Sequence, residues 1–191
     1  MTFDIVLAGV GGQGVLSVSA VIASAALASG LDVKQSETHG MAQRGGAVSA
    51  HLRLADRPIA SDLVPQGCAA LVLSMEPLEG LRYLPFLRPD GLVITAAEPV
   101  RNIDDYPPVE PLLAAIRQLP RARVVDAAHL ARQAGSPRAV NMVMVGAAST
   151  VLPIEAAALE HEIMRFFGRK GASVTNANLQ AFRAGRHASD V

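Results

Sequence analysis

The chain has 191 residues, enough for one domain with a substantial core that needs no disulfide or metal to hold it together. Half of its residues are hydrophobic, only 18% are Asp, Glu, Lys or Arg, and 17 basic side chains balance 17 acidic ones. The neutral balance gives no global attraction for a polyanion and argues against nucleic acid as the main partner. The charge-poor, Ala- and Gly-rich composition suits a dense single core and a face covered by another subunit equally well, a homodimer of the isolated chain included.

The chain opens on FDIVLAGVGGQGVLSVSAVIASAALASG, residues 3–30. An apolar strand at 5–8 runs into a glycine-rich turn and then a helix of small residues that Gly30 closes. Gly9, Gly11 and Gly14 fit the spacing G-x-G-x-x-G in the strand, turn and helix context that the motif requires. Such a turn lets the backbone approach a bound group, and the first amides of the helix form an anion site. The same glycines also serve to pack the first helix tightly on the sheet, and the two uses stay open at this point. A dinucleotide site would want an acidic residue about twenty positions on, where Glu37 is only roughly placed.

A short strand is expected at 31–36, followed by a loop at 37–46 with no apolar period. That loop holds three glycines together with Thr38, His39, Gln43 and Arg44. It is expected at the carboxyl end of a strand, where open α/β sheets place their ligands. Arg44 suits a two-pronged grip on phosphate or carboxylate, His39 proton exchange near neutral pH, and Gln43 a carbonyl or amide, although all three also suit bracing the loop. Strict alternation over 47–54 then puts Val48, Ala50, Leu52 and Leu54 on one face of a strand and Ser49, His51 and Arg53 on the other.

A proline-bracketed connector at 58–65 leads to a buried strand at 69–73 with the polar tip Ser74, Met75 and Glu76. A helix at 77–87 starts on proline with Leu78, Leu81, Leu84 and Leu87 on its inner stripe. Pro89, Asp90 and Gly91 predict a turn before a second buried strand at 92–96. The stretch 98–111 carries four prolines and reads as an extended surface excursion. A helix at 112–119, a strand at 122–126 and a helix at 127–134 follow, with His129 and Asp126 suited either to an acid–base pair or to a helix-start histidine with a capping aspartate.

The nearly uncharged segment 138–152 predicts a helix buried on more than one side, whether by this domain or by a partner. Helices are further expected at 154–167 and 176–184, with a mobile tail from 185. These elements make one α/β domain over 1–191, a Rossmann-like three-layer fold with a mostly parallel sheet and a C-terminal helical segment.

Cys68 lies in an apolar segment and reads as a buried, inert thiol, and one cysteine cannot hold an iron–sulfur cluster. The histidines show no metal-ligand spacing, His161 beside Glu160 and Glu162 reading as a solvent-facing helix residue. Ser17 and Ser19 lack the surround of a nucleophile elbow. No catalytic residue and no metal site is therefore expected here. The start MTFDIVLAG has no basic leader and no apolar run reaches membrane-spanning length, so a cytoplasmic setting is expected.

The blocks VLAGVGGQGVLSVSAVIA at 6–23 and SETHGMAQRGGAVSAHLRL at 36–54 together resemble the gamma-type domain of the 2-oxoacid:ferredoxin oxidoreductases, and within that family the beta subunits of the indolepyruvate branch. The resemblance implies a small α/β subunit, inactive alone, of an enzyme that converts a 2-oxoacid and coenzyme A to acyl coenzyme A, carbon dioxide and reduced ferredoxin. Thiamine diphosphate and iron–sulfur clusters would sit on a large partner subunit, through which ferredoxin is reached, and aryl pyruvates would be the substrates.

It implies that Gly9, Gly11, Gly12, Gln13 and Gly14, with Thr38, His39, Gln43 and Arg44, face the assembled active-site region. Arg44 and the first helix amides would meet an anionic part of coenzyme A, and His39 and Gln43 would orient it. A free-standing nucleotide- or flavin-binding Rossmann-like protein and a structural interaction module are the alternatives.

Overall fold

A computed structural model describes residues 1–39 and 45–189. Its centre is a six-stranded sheet in the order β2-β3-β1-β4-β5-β6. The strands are β1 (Thr2–Val10), β2 (Asp32–His39), β3 (Ala47–Ala55), β4 (Ala69–Ser74), β5 (Leu87–Ala96) and β6 (Ala122–Val125). β3 runs antiparallel to both β1 and β2, whereas β1, β4, β5 and β6 pair in parallel. The reversed strand is thus the partner of β1 in a hairpin-fed ladder, and every other strand ends at one edge of the sheet.

The helices are α1 (Val15–Ala28), α2 (Pro77–Arg82), α3 (Val109–Arg117), α4 (Ala127–Gln133), α5 (Val140–Ala148), α6 (Ala156–Phe167) and α7 (Ala172–His187). One sheet face buries Ile5, Leu7, Ala50, Leu52, Leu54, Leu71, Leu73 and Ile94 against the small-residue faces of α1 and α5, with α6 and α7 completing the cluster. The opposite face buries Val6, Val72 and Val93 beneath Tyr83, Leu84 and Phe86. Period-two burial along each strand produces the two faces, so that consecutive residues of β1 serve different layers.

The alternation read in β3 holds. Arg53 and His51 point away from the larger core and fasten the connector that follows the strand. Arg53 Nε donates to Asp4 Oδ1 at 2.8 Å, and its terminal nitrogen reaches the carbonyls of Ser61 and Leu63 at 3.2 Å each. His51 Nδ1 accepts from Val64 N at 3.0 Å, and its ring meets Phe86 edge-on. Burial pushes the His51 pKa down despite the nearby Asp62 carboxylate.

Several sequence-based boundaries shift. β2 continues through Thr38 to His39, because backbone pairing to β3 supports polar residues that have no apolar period of their own. The expected turn at Pro89, Asp90 and Gly91 lies inside β5, in its irregular first half, where the pairing to β4 jumps register between Ala69 and Leu71. The helix at 77–87 is two pieces, α2 and a 3-10 turn at Leu84–Phe86, with Leu87 already in β5. Cys68 is exposed, since it sits in the turn before β4 with its N–H on Pro65 O rather than in the strand. Glu162, expected beside His161 on a solvent face, is buried; it accepts from Ser24 Oγ of α1 at 2.8 Å and pairs with Arg165.

The expected tail from 185 is instead the last turn of α7. Its Arg186 donates to Ser149 O and Oγ beyond the end of α5, at 3.1 and 3.0 Å. Neighbouring α5 is buried from Met142 to Ala148, as an apolar-all-round segment must be.

Candidate functional site

The chain leaves β1 through α1 towards β2, and leaves the adjacent β4 through α2 towards β5. α1 packs in the larger core and α2 against the other face of the sheet. The carboxyl ends of β1 and β4 therefore border the divergence at which open α/β sheets form their crevice. The glycine turn stands at this point.

Its geometry follows from its residues. Gln13 N donates to Val10 O at 3.1 Å to close the turn, and Gly12 and Gly14 take left-handed backbone angles, φ 103 and 83. A Cβ at Gly9 would lie 2.8 Å from Val15 Cγ2 and 3.1 Å from Met75 Cβ, so the strand end must be bare. α1 begins with no side-chain cap and no acidic residue in its first turn. With Val18 N the first amide to bond back to Gly14 O, the amides of Val15, Leu16 and Ser17 precede the helical ladder and suit an anion.

Gln13 is used differently from the expectation of a ligand-facing amide. Its Oε1 accepts from Val10 N at 2.7 Å and its Nε2 donates to Met75 O at 2.9 Å, so both ends of the side chain staple β1 to the tip of β4. The glycine turn is also tied sideways: Gly11 N donates to Gly46 O at 2.8 Å and Gly45 N to Gly11 O at 3.4 Å. These bonds carry the β1–β3 ladder beyond the strands.

The structure brings together Gly9, Gly11, Gly12, Gln13 and Gly14, whereas Thr38 and His39 lie on the last rungs of β2, two strand spacings from β1. His39 pairs with Val48, which pairs with Gly9, so the three backbones share one row across the sheet. Thr38 is exposed on the edge strand. Gln43 and Arg44 lie outside the described residues. Glu37 pairs with Ala50 and through it with Leu7, below the turn and a full strand removed from β1. That puts it about 10 Å away across two strand spacings, and the dinucleotide alternative loses its ribose-binding acid.

Two cavities flank the turn. One, about 460 Å³, is lined by Val10, Gly11, Gly12, Gly14, Leu16 and Val48 among others, mostly apolar with the first amides of α1 at its wall. The other, about 520 Å³, lies over the β1–β4 divergence and includes Gly12, Gln13, Met75, Glu98, Arg138 and Asn141. Sequence reasoning marks Met75 as a strand tip but misses Glu98, Arg138 and Asn141. They come from segments far apart along the chain, and the only local signal is a polar residue beginning or ending an apolar run.

Glu98 Oε1 accepts from Ala128 N at 3.1 Å. Burial and a carboxyl–carboxyl contact with Asp126 push the Glu98 pKa up, and hydrogen bonding from Glu98 holds Asp126 down. Glu98 Oε2 is buried and has no hydrogen-bond partner among the described residues. Of the two readings of Asp126 and His129, the structure shows the cap: Asp126 Oδ1 accepts from His129 N at 3.0 Å at the start of α4.

The segment between β5 and α3 crosses this end of the sheet. Tyr106 donates its hydroxyl to Glu76 Oε1, and Asn102 Nδ2 donates to Gly45 O at 2.7 Å. Glu76 is buried; its Oε2 caps α2 by accepting from Glu79 N at 2.9 Å. Burial and the Glu76 carboxylate raise the Tyr106 pKa, so the phenol stays a donor. Among the described residues there is no group of three or more His, Cys, Asp or Glu side chains placed to hold a metal, and no helix long and apolar enough to cross a membrane.

The family model for pyruvate ferredoxin/flavodoxin oxidoreductase matches residues 4–188. The chain is 41% identical over 153 residues to the indolepyruvate oxidoreductase subunit IorB of Archaeoglobus fulgidus, covering 76% of this chain and 75% of that one. It is 36% identical over 194 residues to IorB of Methanothermobacter thermautotrophicus, covering 97% and 96%.

Among solved structures, the fold matches the gamma subunit of a keto/oxoacid ferredoxin oxidoreductase from Geobacter sulfurreducens, with TM-score 0.72, 20% identity and 98% of both chains covered. It also matches a 2-oxoglutarate:ferredoxin oxidoreductase from Magnetococcus marinus, solved with 2-oxoglutarate, coenzyme A and succinyl-CoA bound, with TM-score 0.78 and 23% identity. There 99% of this chain spans only 31% of the longer one. With nearly its whole length matched by the family model and by IorB subunits of similar size, the chain belongs to the pyruvate ferredoxin/flavodoxin oxidoreductase family as one of its small subunits.

Proposed function

We propose that the chain serves a thiamine-dependent indolepyruvate, or other aryl pyruvate, ferredoxin oxidoreductase of the cytoplasm, supporting oxidative decarboxylation to acyl coenzyme A. It works in complex with a large catalytic subunit that carries thiamine diphosphate and the iron–sulfur clusters and passes electrons to ferredoxin. The identity to IorB subunits supports the substrate class. Alone, the chain has no turnover.

The observation that carries the role of this subunit is the uncapped start of α1 beside the glycine turn, with no acidic side chain in its first turn and a cavity in front of it. Amides ahead of the helical ladder, aided by the helix dipole, favour an anionic group. We assign that group to coenzyme A, with Arg44 as its charged partner and Thr38, His39 and Gln43 as orienting groups. The glycines supply the close approach, and Gln13 holds the turn in place. The chemistry at the 2-oxoacid belongs to the large subunit.

The test is the purified complex carrying Arg44→Ala. Losing one charge-assisted contact should raise the KM for coenzyme A about tenfold or more, with little change in the KM for the oxoacid. Unchanged coenzyme A kinetics would sink the assignment.

A further inference from the structure

The segment from 97 to 108 is fastened at two points to the margin of the glycine turn. Near its far end, Tyr106 holds Glu76, the residue after Met75. Near its middle, Asn102 Nδ2 holds the carbonyl of Gly45, while Asn102 N donates to Val100 O at 2.9 Å and so folds the backbone locally around the contact. Gly45 in turn donates to Gly11 O, Gly11 donates to Gly46 O, and Gln13 Nε2 returns to Met75 O. The contacts close a ring through the glycine turn, Gly45–Gly46, the crossing segment and the tip of β4. Val100, within the crossing segment, lines the larger cavity.

Within this ring the parts differ in rigidity. Glu76 caps α2, and Gln13 is held by both ends of its side chain. Gly45 and Gly46 carry no side chain with which to hold their own position, and the bonds to Gly11 are backbone only. Asn102 is the side chain that reaches across and fixes Gly45 from outside the β2–β3 hairpin.

We infer that Asn102 is a positioning residue: by holding Gly45 it sets how Gly11 and the first amides of α1 are presented, and thereby the affinity for the anionic cosubstrate. This rests on the function proposed above, but its structural half is measurable without turnover. Tyr106 and Glu76 anchor the segment that carries Asn102, and their loss acts through it.

The experiment uses the full complex with Asn102→Asp, which keeps the size and removes the donor, alongside Asn102→Ala. Ile103→Ser, at an exposed side chain of the same segment, is the control. Amide hydrogen exchange should quicken about tenfold at Gly11 and Gly45 in both Asn102 variants and not in the control, the expected scale for one lost hydrogen bond. The KM for coenzyme A should rise about fivefold to tenfold with kcat within a factor of two. Unchanged exchange at Gly11 and Gly45 overturns the inference. Quickened exchange with an unchanged KM, in a complex whose Arg44→Ala form does show a raised KM, also overturns it and leaves the proposed function standing. If neither Arg44→Ala nor Asn102→Asp moves the KM, it is the coenzyme A assignment that fails.

Discussion

Gly146 of α5 and Gly185 of α7 lie against each other's helices so closely that a Cβ on Gly146 would stand 1.9 Å from Phe182 O, and one on Gly185 1.9 Å from Val143 O. Both obstacles are backbone, which cannot swing aside. Gly146→Ala or Gly185→Ala should therefore each cost about 3 kcal/mol or more, at or above the upper end of ordinary overpacking, or prevent folding outright. Denaturant titration of the single variants checks this. Loss of under about 1 kcal/mol would show that the helices separate easily.

Gln13 offers a test of whether it braces or binds. Removing the side chain by Gln13→Ala leaves Val10 N and Met75 O without their partners, and should lower stability by about 2 kcal/mol. A loss of coenzyme A affinity at unchanged stability would instead make it a ligand-facing amide.

Arg53 and Asp4 form an ion pair at 2.8 Å with both side chains largely covered. Arg53→Met strands a buried carboxylate and should destabilise by about 3 kcal/mol, while adding Asp4→Leu should recover most of the loss. Equal stability of the single and double variants would show that the carboxylate finds another partner.

His51 Nδ1 accepts a hydrogen bond from Val64 N–H, which requires that ring nitrogen to be unprotonated, and its folded pKa lies below the ordinary value of 6.5. A depressed pKa means the unfolded chain binds the proton more readily. The stabilising contribution is complete above pH 6.5 and is lost as pH falls through the folded value. The melting temperature should accordingly fall more between pH 7 and pH 5 than it does for His51→Asn, which does not titrate. Parallel pH profiles for the two proteins would count against this account.

Much of this fold is readable from local pattern. The buried strands at 69–73 and 92–96 announce themselves by uninterrupted β-branched and leucine runs, and β3 by strict alternation. Asp126 announces α4 as its cap. The last rungs of β2, 37–39, do not, because the end of an edge strand in a hairpin draws its order from backbone pairing and leaves Thr38 exposed. The last helix runs past Gly185 for a related reason: a residue that weakens an isolated helix is the one that lets α7 meet α5. Proline and glycine at 89 and 91 signal a turn, yet they sit where β5 pairs irregularly, a place that tolerates both.

The site divides in the same way. Its glycines are contiguous and carry a spacing, so residues 9–14 are visible in the chain. Glu98, Asn102 and Asn141 reach it only through the order of the strands, which no local pattern encodes. The position of β3 between β1 and β2 is the decisive unknown, since it removes Glu37 from the place that a dinucleotide would need.

The reversed strand β3 makes the hairpin and the glycine turn a single measuring device. Because His39, Val48 and Gly9 are locked in one row, deleting one residue anywhere in β3 would turn the hairpin's side chains to the opposite face beside an unaltered turn. Deleting two would restore the faces but slide the row by about 6.8 Å. Length changes in this protein should consequently be rejected within 32–39 and 45–55, where the strands share their rows.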